Sequence, residues 1–312
     1  MCKGLELLDE NYCILFSALP KDTQQIKIGR SQDRICRFCG KNEKETTFKD
    51  IAHSIPEAVG NKNIITLDEC DECNTFFSNN IEVHFDKVSK AYRQVGQIKG
   101  KRGVPSYRTK SKKSRIDYDN GLTIKESTED KILTFPEDNT AIFNYEIEPY
   151  IPVAVYKTLV KMALSVMPNN DLIHFKEAIE WIKNKDHTQH FITPEIAIET
   201  FIPGPRPVDG VMVLLLKRST NNPTVPSYLF SFGYGNLIYQ IVPPTLLDCI
   251  AGLATNYTIP MIRTLFDRDW LYGEPKVRVS NLSSHDIQKG QILPIHHHYD
   301  KKIPMDPSLI KR

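Results

Sequence analysis

Four cysteines and one histidine lie close together near the start of this 312-residue sequence. The cysteines form two Cys-x-x-Cys pairs, Cys36/Cys39 and Cys70/Cys73, and His53 lies between them in "AHSIPEAVGN". The two pairs together can present four thiolates to one tetrahedral cation, and zinc is the usual occupant of such a site. A zinc ion with four sulfur ligands has no open position, so a reaction nearby would depend on His53 and other side chains.

The thirty residues between the two pairs would form a loop that the zinc ion closes. Structural zinc sites contribute roughly 10–16 kcal/mol of apparent binding free energy at neutral pH. That is enough to hold together a small module with little hydrophobic core. We expect a cytosolic protein with reduced thiols, so two pairs that bind nothing are the less favoured alternative.

The order of the first pair, "AHSIPEAVGN" and "ECDECN" resembles the zinc-knuckle branch of the HNH endonucleases, over roughly residues 34–95. The resemblance implies a ββα-metal finger that hydrolyses DNA with Mg²⁺ or Mn²⁺. It implies that His53 is the general base and that Asn74 binds the catalytic ion. It also implies that Asn63 orients the base, with Asn61 as the reserve. Bacterial proteins with a similar arrangement often serve in restriction or antiphage defence.

One position departs from the family pattern. Many members have Asp, Glu or His directly before the base as a second ligand of the ion, whereas this chain has Ala52. We expect Glu82 as the replacement and His84 next, because carboxylates suit Mg²⁺ and imidazole suits softer metals. Glu57 is a further carboxylate close to the motif. The plain alternatives are a solvated helix carboxylate for Glu82 and a hydrogen-bonded core histidine at position 53.

These groups are those that phosphodiester hydrolysis requires. A neutral imidazole with a pKa near 6.5 can take a proton from water at physiological pH. A hard cation on the phosphate stabilises the charge that develops on the leaving oxygen. The sequence therefore predicts a metal-dependent endonuclease.

Positive charge is concentrated directly after the motif. Residues 87–115 contain eleven Lys and Arg and no Asp or Glu, although the net charge of the whole chain is only +2. Such a segment suits the phosphate backbone of DNA, and six to ten contacts would lower affinity roughly 10³–10⁵-fold between 50 and 200 mM salt. A solvated loop with incidental charge is the alternative. The predicted DNA-binding residues are Lys99, Lys101, Arg102, Arg108, Lys110, Lys112, Lys113 and Arg115.

Regular elements must position these side chains. Apolar residues recur every three or four positions from Phe77 to Tyr92, which predicts a helix with one buried face that ends near Gly96. The Asn120–Gly121 pair between alternating runs predicts a β-hairpin.

The rest of the chain reads as helices followed by strands. "YIPVAVYKTLVKMALSVM" predicts an amphipathic helix, and residues 171–184 predict a second helix with Asp171 as its N-cap. "GVMVLLLKR", "SYLFSFGYG" and "NLIYQIVPP" predict strands. The predicted fold class is α+β, with a zinc-stabilised ββα-metal module at 1–115 and a larger mixed α+β domain at 116–312. That second domain would serve recognition, oligomerisation or regulation, and a homo-oligomer through it is a further expectation.

Two other classes of function stay open. A non-catalytic zinc-finger DNA-binding protein would keep the cysteines and the basic segment, and Ala52 favours it. A thiol redox protein would use the Cys-x-x-Cys pairs, but no thioredoxin-like βαβ pattern surrounds them. No apolar run is long enough for a membrane span, and we expect a cytoplasmic protein.

Overall fold

The computed structural model describes residues 3–20, 24–118, 121–136, 139–191, 194–205, 208–250, 258–262 and 272–304. Runs of consecutive strands are separated by groups of helices, and the described strand pairings are antiparallel apart from one, which confirms the α+β class. The α-helices are α1 (Lys3–Asn11), α2 (Asp71–Phe77), α3 (Val83–Val95), α4 (Pro152–Val166), α5 (Asn169–Leu172), α6 (Lys176–Ile182) and α7 (Leu246–Ile250). The first strands are β1 (Tyr12–Ala18), β2 (Ile26–Ile28), β3 (Ala52–His53), β4 (Ile64–Thr66), β5 (Tyr107–Arg108), β6 (Arg115–Tyr118), β7 (Leu122–Lys125) and β8 (Leu133–Thr134). The later strands are β9 (Thr140–Glu146), β10 (Ile196–Phe201), β11 (Val208–Arg218), β12 (Tyr228–Gly235), β13 (Leu237–Ile241), β14 (Lys276–Asn281) and β15 (Ile292–His298).

The predicted strands of the C-terminal half form the centre of a six-stranded sheet. Its order is β1-β11-β12-β13-β10-β14, and each described pairing is antiparallel. Every residue of β12 and β13 is buried, so both faces of the sheet are covered there. This explains why these strands read as continuous apolar runs rather than as alternating ones.

The cysteine segment forms a small sheet followed by a long helix. Strand β4 lies between β2, which is parallel to it, and β3, which is antiparallel. The helix predicted after the second cysteine pair is present, but a π-helical turn at Ser78–Glu82 separates α2 from α3. Phe77, Ile81 and Phe85 form its buried face, as the spacing predicts.

Helix α4 packs against this long helix and is buried along its whole length. The prediction of an amphipathic helix is therefore wrong, because its two lysines, Lys157 and Lys161, are also buried. One hydrophobic core extends from the cysteine segment through α4 to the large sheet. The rings of Phe85 and Phe232 contact each other in this core, with centroids 6.2 Å apart.

Two further predictions differ from the structure or extend beyond it. Asp171 is not an N-cap: it lies within α5 and accepts hydrogen bonds from Lys217 (2.6 Å) and the Tyr228 hydroxyl (2.8 Å). A turn at Ile173–Phe175 splits the predicted second helix into α5 and α6. The antiparallel pairing of β6 with β7 confirms the hairpin, whereas Asn120 itself lies outside the described residues.

Several contacts cross the predicted boundary between residues 115 and 116. The sheet β5-β6-β7 spans it, and β1 from the N-terminal end pairs with β11. The division into two domains stays a prediction. No helix in the described part of the chain is long and apolar enough to cross a membrane.

Candidate active site

The four cysteines converge on one point. Their Sγ atoms all lie within 4.8 Å of one another, and the Sγ atoms of Cys39 and Cys70 are 3.7 Å apart. A tetrahedral zinc ion with bonds of 2.3 Å requires sulfur atoms about 3.8 Å apart. The cluster therefore has the donors and the spacing to hold a metal ion such as zinc.

Local backbone geometry brings the sulfurs together. Gly40 follows the first pair with a φ of +73°, a left-handed conformation that glycine adopts without strain, and its N–H donates to the carbonyl of Cys36 (2.8 Å). Cys70 is the N-cap residue of α2, and its N–H donates to the Cys36 sulfur (3.4 Å). A hydrogen bond with Cys73 is the main cause that lowers the pKa of Cys36 to about 5, whereas burial is the main cause that raises the pKa of Cys39 to about 11. The cluster thus favours one thiolate, and four thiolates side by side need a cation.

The same helix fixes the strand that carries His53. Asp71, in the first turn of α2, accepts hydrogen bonds from the Thr47 hydroxyl (2.5 Å) and from the backbone N–H groups of Lys49 (3.0 Å) and Asp50 (2.9 Å). This loop leads directly into β3, where His53 pairs with Ile65 of β4. The position of His53 thus depends on the helix that begins at the cysteine cluster.

His53 lies in the wall of a cavity of about 890 Å³. The same cavity is lined by four residues that are spaced four positions apart on the long helix, Asn74, Ser78, Glu82 and Asp86. Positions four apart drift by about 40° per step in an ideal α-helix, and the wider π turn offsets part of that drift. The other lining residues are Ile51, Pro56, Glu57, Ala58, Thr75, Asn79, Val83, Phe85, Lys101 and Arg102.

The surroundings keep the His53 imidazole neutral near pH 7. Burial lowers its pKa below the ordinary value, with Lys161 and Lys101 acting in the same direction and Glu57 and Glu82 opposing them. Its Nε2 atom is 3.9 Å from a carboxylate oxygen of Glu57. Its Nδ1 atom is buried and has no hydrogen-bond partner among the described residues. Nε2 is too far from Glu57 for a hydrogen bond and the side chain is partly exposed, so Nε2 is the ring nitrogen that can accept a proton from water.

A lysine that the sequence pattern does not indicate contacts two residues of the cavity without lining it. The Lys161 ammonium on α4 is 3.1 Å from a Glu82 oxygen, 3.3 Å from a Glu69 oxygen and 3.2 Å from the His53 carbonyl. Burial lowers the pKa of Lys161, but the two carboxylates outweigh burial and raise it above its ordinary value. No motif contains this residue, and a lysine in a helix that is predicted to be amphipathic gives no signal that it is buried.

Two predicted site residues lie elsewhere. His84 faces α4, where its Nδ1 accepts the N–H of Ile151 (3.0 Å) and its ring meets that of His187. It does not line the His53 cavity, because side chains two positions apart on a helix point in different directions.

Asn63 lines a separate cavity of about 160 Å³ and does not bond the imidazole. The reserve residue, Asn61, is buried and ties the loop between β3 and β4 through the carbonyls of Ile55 (2.6 Å) and Ile64 (2.9 Å). It thus holds the backbone of the loop rather than the base.

The predicted DNA-binding residues fall into two groups. Lys101 and Arg102 line the His53 cavity, whereas Lys110 and Lys113 form ion pairs with Glu146 and Glu129. Arg115 is likewise paired with Asp117 at 2.8 Å. The residues that form no ion pair within the described part of the chain are Lys99, Lys101, Arg102, Arg108 and Lys112.

A comparison with known protein families identifies the segment that contains the cysteine cluster and His53. Residues 36–89, about a sixth of the chain, match the family model described as HNH endonuclease, which confirms the resemblance for this N-terminal part. An HNH domain indicates a nuclease, that is, a hydrolase of phosphodiester bonds that acts on DNA with a divalent metal ion. No curated protein and no solved structure matches the chain.

Proposed function

We propose that this protein is a metal-dependent DNA endonuclease in which His53 is the general base. The observation that carries the proposal is the meeting of His53, Asn74 and Glu82 in one cavity of the segment that matches the HNH family. His53 accepts a proton from the attacking water through Nε2, which lies too far from Glu57 for a hydrogen bond. Its lowered pKa keeps that nitrogen deprotonated at neutral pH.

Asn74 and Glu82 would hold Mg²⁺ or Mn²⁺, with Glu57 as a further carboxylate on the same cavity. When bound, such an ion stabilises the negative charge on the phosphate and on the leaving oxygen. Lys101 and Arg102 lie at the same cavity and bind the phosphates on either side of the scissile bond. The residues of this chain thus supply the base, the ion ligands and the charge that aligns the backbone.

The four cysteines bind a structural zinc ion in this proposal. All four sulfurs are used, so the zinc ion takes no part in the reaction. Its role is to hold the start of α2, and through Asp71 the strand of His53, in place.

The test is incubation of the purified protein with supercoiled plasmid in Mg²⁺, in Mn²⁺ and in EDTA. We expect nicked or linear DNA with either metal and intact DNA in EDTA. Intact DNA under all three conditions, with a folded zinc-loaded protein, would remove the proposal.

A non-catalytic zinc-finger DNA-binding protein is the second candidate. Ala52, which offers no metal ligand before the base, favours it. This candidate predicts DNA binding that does not depend on Mg²⁺ and that is unchanged in His53→Ala.

The biological part of the proposal is restriction or antiphage defence. It rests on the resemblance alone. Expression in a phage-sensitive bacterial host should lower plaque numbers, and His53→Ala should restore them.

A further inference from the structure

Lys161 is the only lysine in the described part of the chain whose ammonium contacts both His53 and Glu82. It lies on α4, about seventy positions beyond the segment that matches the HNH family. Its side chain is 1% exposed, so it cannot contact DNA directly. An amine so fully buried acts on the reaction only through the groups that it contacts.

Those contacts join two elements that line the cavity, strand β3 and the long helix. The ammonium donates to the carbonyl of His53 on β3 and forms an ion pair with Glu82 on the long helix. Glu69, which is also buried, is its third partner, and this ion pair lacks hydrogen-bond alignment. A single cation therefore links the strand of the base to the helix of the ion ligands.

The segment that matches the HNH family fixes the position of Lys161. Arg37, next to the first cysteine, donates to the last carbonyls of α4, those of Leu164 (2.9 Å), Ser165 (2.8 Å) and Met167 (3.2 Å). Arg37 in turn pairs with Asp68 at 2.7 Å. Arg37 thus anchors the C-terminal end of α4 beside the cysteine cluster. This contact fixes the position of Lys161 along α4 relative to the cavity.

We propose that Lys161 is a positioning residue of the nuclease site, contributed by the C-terminal half of the chain. It holds the Glu82 carboxylate so that its second oxygen faces the cavity, and it fixes the strand of His53. The inference rests on the proposed function, since it assigns Glu82 as a ligand of the catalytic ion. It makes the HNH segment dependent on α4 for a geometry that the segment does not set alone.

The test compares Lys161→Met/Glu69→Gln with Lys157→Met in the full-length protein. The double variant removes the buried cation together with the carboxylate that would otherwise lose its partner, so that folding is kept. Lys157 is a matched control: it lies one turn earlier on α4, is equally buried, and contacts Asn184 and His187 instead of the cavity. Thermal unfolding and zinc content verify that both proteins are folded.

We expect kcat for plasmid cleavage to fall about 10- to 100-fold in the double variant, as for other residues that orient metal ligands. The KM for DNA should change less than about twofold, because the lysine is shielded from DNA. Lys157→Met should retain the wild-type kcat. Equal kcat values for the double variant and Lys157→Met would overturn the assignment.

A second readout needs no cleavage. Mn²⁺ binding, measured by electron paramagnetic resonance, is compared with and without Glu82→Gln in the wild-type and the Lys161→Met/Glu69→Gln backgrounds. We expect Glu82→Gln to weaken binding in the wild type and to have little effect in the other background. An equal effect in both, including none in either, overturns the inference. If the wild type cleaves no DNA, the proposed function fails, and this readout still decides the role of Lys161.

Discussion

The cysteine cluster and the His53 cavity belong to the same short segment, yet they are completed in different ways. The cluster takes all its sulfurs from two local turns, and they converge within 4.8 Å. The cavity takes groups from β3 and the long helix and from Lys101 and Arg102 after it, and Lys161 on α4 contacts two of its residues without lining it. The cysteine cluster is complete within its two Cys-x-x-Cys pairs, whereas the His53 cavity depends on residues that are distant in sequence.

This difference follows from the chemistry of the two sites. Four soft ligands saturate a tetrahedral cation, so nothing further is required of the fold. A catalytic site must leave open positions for water and phosphate, and its ligands must then be oriented by surrounding groups. The more open site is therefore the more dependent on the rest of the protein.

Removal of one cysteine ligand should have the largest effect. Cys70→Ser breaks the cluster at the N-cap residue of α2. We expect loss of zinc and loss of cooperative unfolding, since such sites contribute roughly 10–16 kcal/mol in small domains. Native mass spectrometry and circular dichroism measure both. Cys13→Ser, at an exposed cysteine on β1, is the control and should keep one zinc ion per chain. A metal-free Cys70→Ser protein with wild-type Tm would show that the cluster is not structural.

Substitutions in the basic segment should have a smaller effect, on the salt dependence of DNA binding. They distinguish basic residues at the cavity from basic residues that form ion pairs within the protein. Lys101→Ala/Arg102→Ala should lower the slope of log affinity against log salt by about 2, because each phosphate contact contributes about 0.9. Lys110→Ala/Lys113→Ala should change it by less than about 1, because Glu146 and Glu129 already pair with these lysines. DNA titrations at several salt concentrations provide the slopes. Equal slopes for the two double variants would contradict this division.

The pH profile should show the smallest shift. A protonated His53 cannot accept a proton, and the pKa of His53 is lowered below its ordinary value of 6.5. We therefore expect kcat/KM to be constant near neutral pH. Below a midpoint that lies under pH 6.5, kcat/KM should fall about tenfold per pH unit. The same shift affects the free energy of unfolding. The contribution of His53 to stability is fully present above pH 6.5, roughly its pKa in the unfolded chain, and is lost as the pH falls through its lower pKa in the folded protein. Glu57→Gln should move the midpoint down and Lys101→Ala should move it up, because these charges act in opposite directions. A midpoint above 6.5 in the wild type would be inconsistent with this environment.

Local patterns predicted much of the fold. The spacing of Phe77, Ile81 and Phe85 predicted the buried face of the long helix, and the apolar runs predicted β11, β12 and β13. The two Cys-x-x-Cys pairs predicted the cluster, because their geometry is set within a few residues of each cysteine. In each case the signal and the element occupy the same stretch of chain.

Pairings between distant residues were beyond the sequence. Lys161 reads as the polar face of an amphipathic helix, and only the fold brings Glu69 and Glu82 to it. The orientation of His84 away from the cavity depends on how the long helix packs against α4. Similarly, the count of charges in residues 87–115 could not reveal that carboxylates from outside the segment neutralise part of it.

The most direct test of the account is the cleavage rate of His53→Ala on supercoiled plasmid in Mn²⁺, beside the wild type. The account predicts a rate lower by about 10²- to 10⁴-fold, the usual contribution of a general base, with zinc content, Tm and DNA affinity unchanged. A variant that is folded and zinc-loaded and cleaves within about threefold of the wild-type rate would contradict it, because the base would then be another group.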